Sequence, residues 1–345
     1  MKFGAVPVPD AVGATVVHTV QLGGLVLKKG ETVTHAHAAM LAERGLREIV
    51  VARLEADDVG ENEAAQSIAT ALAGREITVE RAFTGRANLF ARHNGILQVE
   101  AARVDDLNAV DESLTLATLP PYRAVTAGEM VATVKIIPFA VSRPILDQAL
   151  ALASRPVVQV HRFQPLRVGV LSTVLPGLKP AVVRKTVLHL AARLAPAAAP
   201  IVVDEALPHD AEALATRLAQ VAGLCDIIVV FGASAITDRR DIIPMALLQA
   251  GGTIEQFGMP VDPGNLLLLG RLGGAAVIGA PGCARSPKEN GFDWVLQRLL
   301  AGLEVTRADV RRLGVGGLLM EIVSRPQPRL DGGASAPPLA EPSAA

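Results

Sequence analysis

Hydrophobic and polar positions alternate in three different ways along this chain. Ala14–Val20 and Gly23–Gly30 are short β-like runs divided by turns, His35–Gly45 has helical spacing, and Leu46–Val51 returns to a strand. This pattern predicts a small β-rich module over residues 1–62. A helical stretch from Glu63 to Gly74 then opens a segment that includes the strand-like Lys135–Phe139, predicting a mixed α/β module over 63–160. The third region, 161–329, is the most regular. Arg167–Leu171 reads as a strand ended by Ser172 and Thr173, and Pro180 suits the first position of a helix running to about Leu194. Ile201–Val203, Ile227–Val230 and Ala276–Gly279 read as further strands, with helices over Asp210–Val221 and Asp241–Ala250 between them. Strands alternating with helices predict a three-layer α/β domain, a parallel sheet covered on both faces, whose ligands sit outside the carboxyl ends of the strands. The Gly-, Ala- and Pro-rich residues 330–345 read as a flexible tail or the stump of a linker.

Composition narrows the function classes. Thirty-three basic residues stand against 34 acidic ones, and the aromatics are one Trp, one Tyr and eight Phe. Neither a basic footprint nor a set of stacking platforms for nucleic acid is present. No uninterrupted apolar run approaches the roughly 20 residues of a membrane helix, and Met1–Gly4 lacks the basic and apolar start of a signal peptide. With only two cysteines, Cys225 and Cys283, a disulfide framework is not expected and a cytoplasmic setting is the default. His18, His35 and His37 match no zinc spacing and read as surface or capping residues.

Polar chemistry concentrates in three small-residue turns of the third region: Phe231–Asp241, Met259–Asn265 and Gly279–Ser286. Gly232 belongs to neither a dinucleotide fingerprint nor a Walker A loop, and Ile236 occupies the second glycine position that a serine nucleophile elbow at Ser234 requires. Backbone amides around Gly232, Gly264 and Gly282 suit a phosphate or another oxyanion. Asp238, Asp241 and Asp262 are candidate ligands for Mg²⁺ bridging phosphate oxygens. The competing reading is that Asp238 and Asp241 cap the following helix and pair with Arg239 and Arg240. Cys283 reads either as a thiol ligand or as a small packing residue at a strand end.

Leu171-Ser172-Thr173, Asp226 through Ser234 and Ala280-Pro281-Gly282 resemble, in order and spacing, the molybdopterin-binding domain of molybdenum-cofactor biosynthesis proteins. The resemblance covers residues 167 to about 303, and the β-rich start is similar to other domains of the molybdenum-insertion enzymes. The run from Gly232 through Arg298 resembles a divergent bacterial branch that often carries a nucleotidyltransferase-like domain after this region, which implies a separate nucleotidyltransferase as a partner.

What the resemblance implies is binding of molybdopterin or its adenylylated form, and Mg²⁺-assisted insertion of molybdate with release of AMP by a molybdopterin molybdenumtransferase, in a homodimer. Ser172, Thr173, Gly232, Ala233, Ser234, Asp262, Gly264, Asn265, Pro281, Gly282 and Cys283 are then the ligand residues, with Asp238 and Asp241 catalytic. The chain departs from the family pattern at Phe231 and Ile236, where glycines are expected. It also departs at Asn265-Leu266 for Lys-Pro, at Cys283-Ala284 for Asn-Pro, and at Val174-Leu175-Pro176 for Gly-Asp-Glu. These losses leave a non-catalytic module that hands molybdopterin to a nucleotidyltransferase as the alternative. A phosphate-ester hydrolase related to the competence-damage-inducible proteins is a third reading.

Overall fold

The computed structural model describes residues 1–319. The expected tail over 330–345 and the last residues of the expected 161–329 module lie outside the described residues. Near the amino terminus, Glu48–Arg53 pairs antiparallel with Lys2–Pro7 on one side and Thr15–Val16 on the other. The helix His35–Glu43 closes this unit by burying Leu41 beside Val8, Leu27 and Ile49. Its start is fixed by a capping box, in which the His37 N–H donates to Thr34 Oγ1 and the Thr34 N–H donates to His37 Nδ1. His37 is therefore a cap. Next, the helix Glu61–Leu72 packs Ile68 and Leu72 against a second core with Leu89, Leu97 and Val134 from three strands. One residue of those strands, Ile96, belongs instead to the core of the third region, so the two units share packing.

The third region is built on a six-stranded sheet. Its spatial order is Ile201–Pro208, Val168–Val174, Ile227–Phe231, Ala275–Ala280, Leu268–Leu272 and Thr253–Phe257. The first four run parallel and the last two are antiparallel to their neighbours. The sheet is thus mixed rather than wholly parallel. The hairpin Leu268–Ala280 and the antiparallel pairing of Thr253–Phe257 complete it at one edge.

Every residue of Ile227–Phe231 is buried because both of its faces are covered. Ile227, Val229 and Phe231 pack with Leu190, Leu194, Phe292 and Val295, from the helices Pro180–Leu194 and Gly291–Leu300. Ile228 and Val230 pack on the other face with Leu214, Leu218, Ile243 and Leu247, from Ala211–Val221 and Ile242–Gln249. By contrast, the edge strand Ile201–Pro208 buries only Val203.

Connectivity selects one place on this sheet for a ligand. The chain leaves Val168–Val174 toward one edge, returns to Ile227–Phe231 on the opposite side of it, and continues to the other edge. Those two adjacent strands form a topological switch point, where the loops at their carboxyl ends diverge and leave a crevice. Phe231 is in register with Ser172 and with Ala280, while Phe257 and Gly279 both pair with Leu268. All three polar turns therefore emerge at this end. Among the described residues no helix is long and apolar enough to cross a membrane.

Candidate functional site

Thr173 lies on the strand Val168–Val174, beyond the point where the sequence pattern ends that strand, and is 1% exposed. Across the switch point, the Ala233 N–H donates to Thr173 Oγ1 at 3.0 Å. The same oxygen lies 2.9 Å from His209 Nδ1, and His209 Nε2 lies 3.2 Å from Ser234 Oγ. His209 is aimed by its position directly after Ile201–Pro208. Its N–H donates to the Val174 carbonyl at 3.1 Å, and the next residue, Asp210, caps Ala211–Val221 by accepting the Ala213 N–H.

Hydrogen-bond accounting orients this line. A buried hydroxyl needs an acceptor for its proton, and the acceptor described for Thr173 is His209 Nδ1. In the neutral ring the proton then sits on Nε2 and is donated to Ser234 Oγ. Ser234 is exposed, so its own O–H is left to donate outward, toward a ligand acceptor. An imidazole arranged in this way supports a hydrogen-bond donor at Ser234; the opposite tautomer would be needed to activate a nucleophile.

The wall behind the crevice is equally determined. Arg285 donates from Nη2 to the Gly232 carbonyl at 2.8 Å and from Nη1 to Thr186 Oγ1 at 3.1 Å. Its guanidinium carbon lies 5.4 Å from the centre of the Phe231 ring, an arrangement favourable to a cation over an aromatic face. Burial pushes the Arg285 pKa down. Arg193, in a nearly buried pair with Asp293 at 2.5 Å, also binds the carbonyls of Ala284 and Ser286 at 3.1 and 2.6 Å. The Gly279–Ser286 turn is therefore tied to the helix Pro180–Leu194.

Ser172, Thr173, Gly232, Ala233 and Ser234 come together at the switch point. Pro281 and Gly282 follow the neighbouring strand Ala275–Ala280, and Cys283 lies half-buried on the short turn Gly282–Arg285. Ser172 Oγ is buried with no hydrogen-bond partner among the described residues. The loop holding Asp262, Gly264 and Asn265 packs against other elements. The Asp262 N–H donates to the Gly317 carbonyl at 2.8 Å, the Asn265 carbonyl accepts the Met259 N–H at 2.9 Å, and the Gly291 N–H donates to the Pro263 carbonyl at 2.9 Å. A Cβ at Gly264 would lie 2.8 Å from the Gly291 nitrogen, so the glycine there serves a close approach to the helix start.

Asp238 and Asp241 are held in a local turn. Asp241 Oδ2 accepts the N–H groups of Thr237 at 2.5 Å and Asp238 at 2.8 Å, and the Thr237 hydroxyl at 3.2 Å. Asp241 stands at the N-cap position of Ile242–Gln249, but its side chain turns back to the preceding loop and does not cap that helix. Asp238 Oδ1 accepts from Arg240 N and Nε, both at 2.8 Å, while Arg239 lies over the Phe257 ring. These bonds hold both carboxyls below their ordinary pKa: the Arg240 side chain acts first on Asp238, and the Thr237 N–H acts first on Asp241. Among the described residues no group of three or more His, Cys, Asp or Glu converges as a metal site. This donor set does not fit Mg²⁺ held jointly by Asp238, Asp241 and Asp262.

Two participants escaped the sequence reading. His209 follows a strand directly, the position at which α/β folds present ligand groups, but the sequence pattern ends that strand at Val203 and leaves His209 in the connection to the helix from Asp210. Arg285 sits inside a turn whose neighbouring glycine drew the attention. The departures Phe231 and Ile236 are core residues: Phe231 is 1% and Ile236 3% exposed, and Ile236 fills the space that a Cβ at Gly279 would occupy.

No family model matches the chain, and no curated protein matches it. Among solved structures it is similar to a molybdenum cofactor biosynthesis protein from Pyrococcus furiosus, at 11% identity and a TM-score of 0.26, over 88% of this chain and 64% of that one. A molybdopterin biosynthesis MoeA protein from Pyrococcus horikoshii shows 13% identity and a TM-score of 0.31, over 87% of this chain and 75% of that one. A molybdopterin biosynthesis MoeA protein from Pyrococcus horikoshii OT3 shows 12% identity and a TM-score of 0.28, over 71% of this chain and 80% of that one. The chain bears a distant, partial resemblance to molybdenum-cofactor biosynthesis proteins.

Proposed function

We propose that this chain binds molybdopterin, or its adenylylated form, at the switch-point crevice between Val168–Val174 and Ile227–Phe231. The observation that carries the reading is the Thr173–His209–Ser234 line, which joins the Ser172-Thr173 and Gly232–Ser234 motifs of the resemblance. Ser234 offers an O–H to a phosphate or pterin oxygen, His209 Nε2–H holds that hydroxyl in place, and Thr173 sets the ring. Ser172, Gly232, Ala233, Pro281, Gly282 and Cys283 complete the ligand set. Residues 1–62 and 63–160 are separate modules in this reading, and the assembly is a homodimer.

Insertion of molybdate with release of AMP is the catalytic form of the same proposal. Here Ser234, backed by His209, donates a hydrogen bond to the departing phosphate oxygen, and no step passes through Mg²⁺. The absence of the family's Lys and Gly-Asp-Glu at the positions of Asn265 and Val174–Pro176 favours the second form, a module that hands molybdopterin to a separate nucleotidyltransferase.

Anaerobic purification followed by oxidation to the fluorescent pterin product tests the binding reading. Retained pterin is expected, and Ser234→Ala is expected to weaken retention on the order of tenfold to a hundredfold, as loss of a hydrogen bond to a charged group does. Failure of the intact chain either to retain pterin or to bind supplied molybdopterin sinks it. Incubation with adenylylated molybdopterin and molybdate separates the two forms: AMP release supports insertion, and binding without AMP supports transfer.

A further inference from the structure

We infer that the cleft between the helix Pro180–Leu194 and the turn Gly282–Arg285 is an oxyanion site, in which Lys185 and Arg285 hold a phosphoryl group. The cleft has a volume of about 430 Å³, and Lys185, Thr186, His189, Arg285 and Ser286 are among the residues lining it. No Asp or Glu lines it, so Lys185 and Arg285 confer an uncompensated positive charge. Arg285 makes no ion pair to a carboxylate among the described residues, whereas its neighbour Arg193 is paired with Asp293.

A guanidinium has five N–H donors in a planar fork. Two of the Arg285 groups go to Thr186 Oγ1 and the Gly232 carbonyl, and the other three have no acceptor among the described residues. A half-buried cation with unmatched donors is stabilised by a ligand that brings both negative charge and acceptor oxygens, which a phosphoryl group does. The walls are pre-organised. His189 Nδ1 donates to the Arg285 carbonyl at 2.6 Å, and Arg193 ties down the carbonyls of Ala284, Ser286 and Lys288. Binding therefore orders little new backbone.

Gly282 also belongs to the proposed pterin site, so the cleft extends that site and the inference deepens that reading. The probe is inorganic phosphate, which contains no pterin, so the two can fail separately. Calorimetric titration of the full chain at constant ionic strength is expected to show saturable binding below about 20 mM, competed by sulfate and not by chloride. Lys185 is exposed, so Lys185→Gln is expected to keep the melting temperature and weaken phosphate binding about three- to tenfold. Arg285→Gln is expected to weaken it more than tenfold. Absence of saturable binding overturns the inference. So does phosphate binding that Lys185→Gln leaves unchanged, even when Arg285→Gln lowers the melting temperature, because Arg285 is then only a strut between the helix and the Gly232 turn.

Discussion

The loop after Ile227–Phe231 has two halves that solve their polar requirements in opposite ways. In Gly232–Ser234 the partners are remote: Thr173 lies 60 residues from Ala233, Arg285 lies 53 from Gly232, and His209 lies 25 from Ser234. In Thr237–Asp241 every side-chain bond of the two aspartates closes within four residues. Remote hydrogen bonds exist only when the sheet is assembled, and they bring Thr173 of one strand together with His209, Ser234 and Arg285, which follow three others, around one crevice. Local ones secure the loop without aiming anything at it. Charge alone would have ranked the halves the other way, because the second half holds both acids.

The strongest test of the remote half removes the close approach on which it depends. A Cβ at Gly232 would lie 2.7 Å from the Ser234 carbonyl oxygen and 3.0 Å from Ile243 Cδ1. The first neighbour is backbone, so the turn itself must shift. Gly232→Ala is expected to cost about 1–3 kcal/mol in denaturant unfolding, the range for an overpacked site. Displacement of Ser234 should also reduce pterin retention by more than the stability loss explains. Retention unchanged in the folded variant would show that the turn does not aim Ser234 at the ligand.

A subtler break is Thr173→Val, which preserves shape and removes the oxygen at the centre of the line. The Ala233 N–H and His209 Nδ1 lose their partner, at a cost of roughly 1–3 kcal/mol. Nitrogen-15 spectra of the histidine rings should show Nε2–H as the neutral tautomer of His209 in the parent chain, a mixture in Thr173→Val, and recovery in Thr173→Ser. A parent spectrum with the proton on Nδ1 would turn Ser234 into an activated hydroxyl and favour a catalytic serine over a binding one.

The same contrast explains what the sequence made legible. Local signals were readable: Pro180 opens its helix, the apolar spacing of Leu214, Leu218 and Val221 marks the next, and small-residue turns end the buried strands. The carboxyl-end position of all three turns followed from the alternation of strands and helices. The strands Leu268–Leu272 and Thr253–Phe257 were not legible at all: Glu255 and Gln256 break the apolar pattern of the second and Arg271 that of the first, and their antiparallel pairing depends on partners remote in sequence. Nor was the role of His209, whose partners are brought to it by topology. Asp238 and Asp241 drew attention as acids beside a glycine turn, and the structure accounts for them as turn acceptors.

The smallest expected effect probes the local half, and pH separates it from structural damage. Asp241 is held below its ordinary value of 3.8, first by the Thr237 N–H and then by the Asp238 N–H, while the nearby Asp238 carboxylate opposes the shift and Arg240 pairs with that neighbour. A carboxyl with a depressed folded-state pKa contributes stability that is present above 3.8 and lost as pH falls through the folded value. Asp241→Asn removes the charge and keeps an acceptor, so its penalty at pH 6 should be below about 1 kcal/mol, as for other exposed charge interactions. That penalty should shrink toward zero as both proteins are unfolded at successively lower pH, once pH passes below the depressed folded value and the parent carboxyl is itself protonated. Pterin retention should change less in Asp241→Asn than in Ser234→Ala. A larger change would place Asp241 at the ligand after all, and a penalty independent of pH would mean that geometry rather than charge holds the Thr237–Asp241 turn.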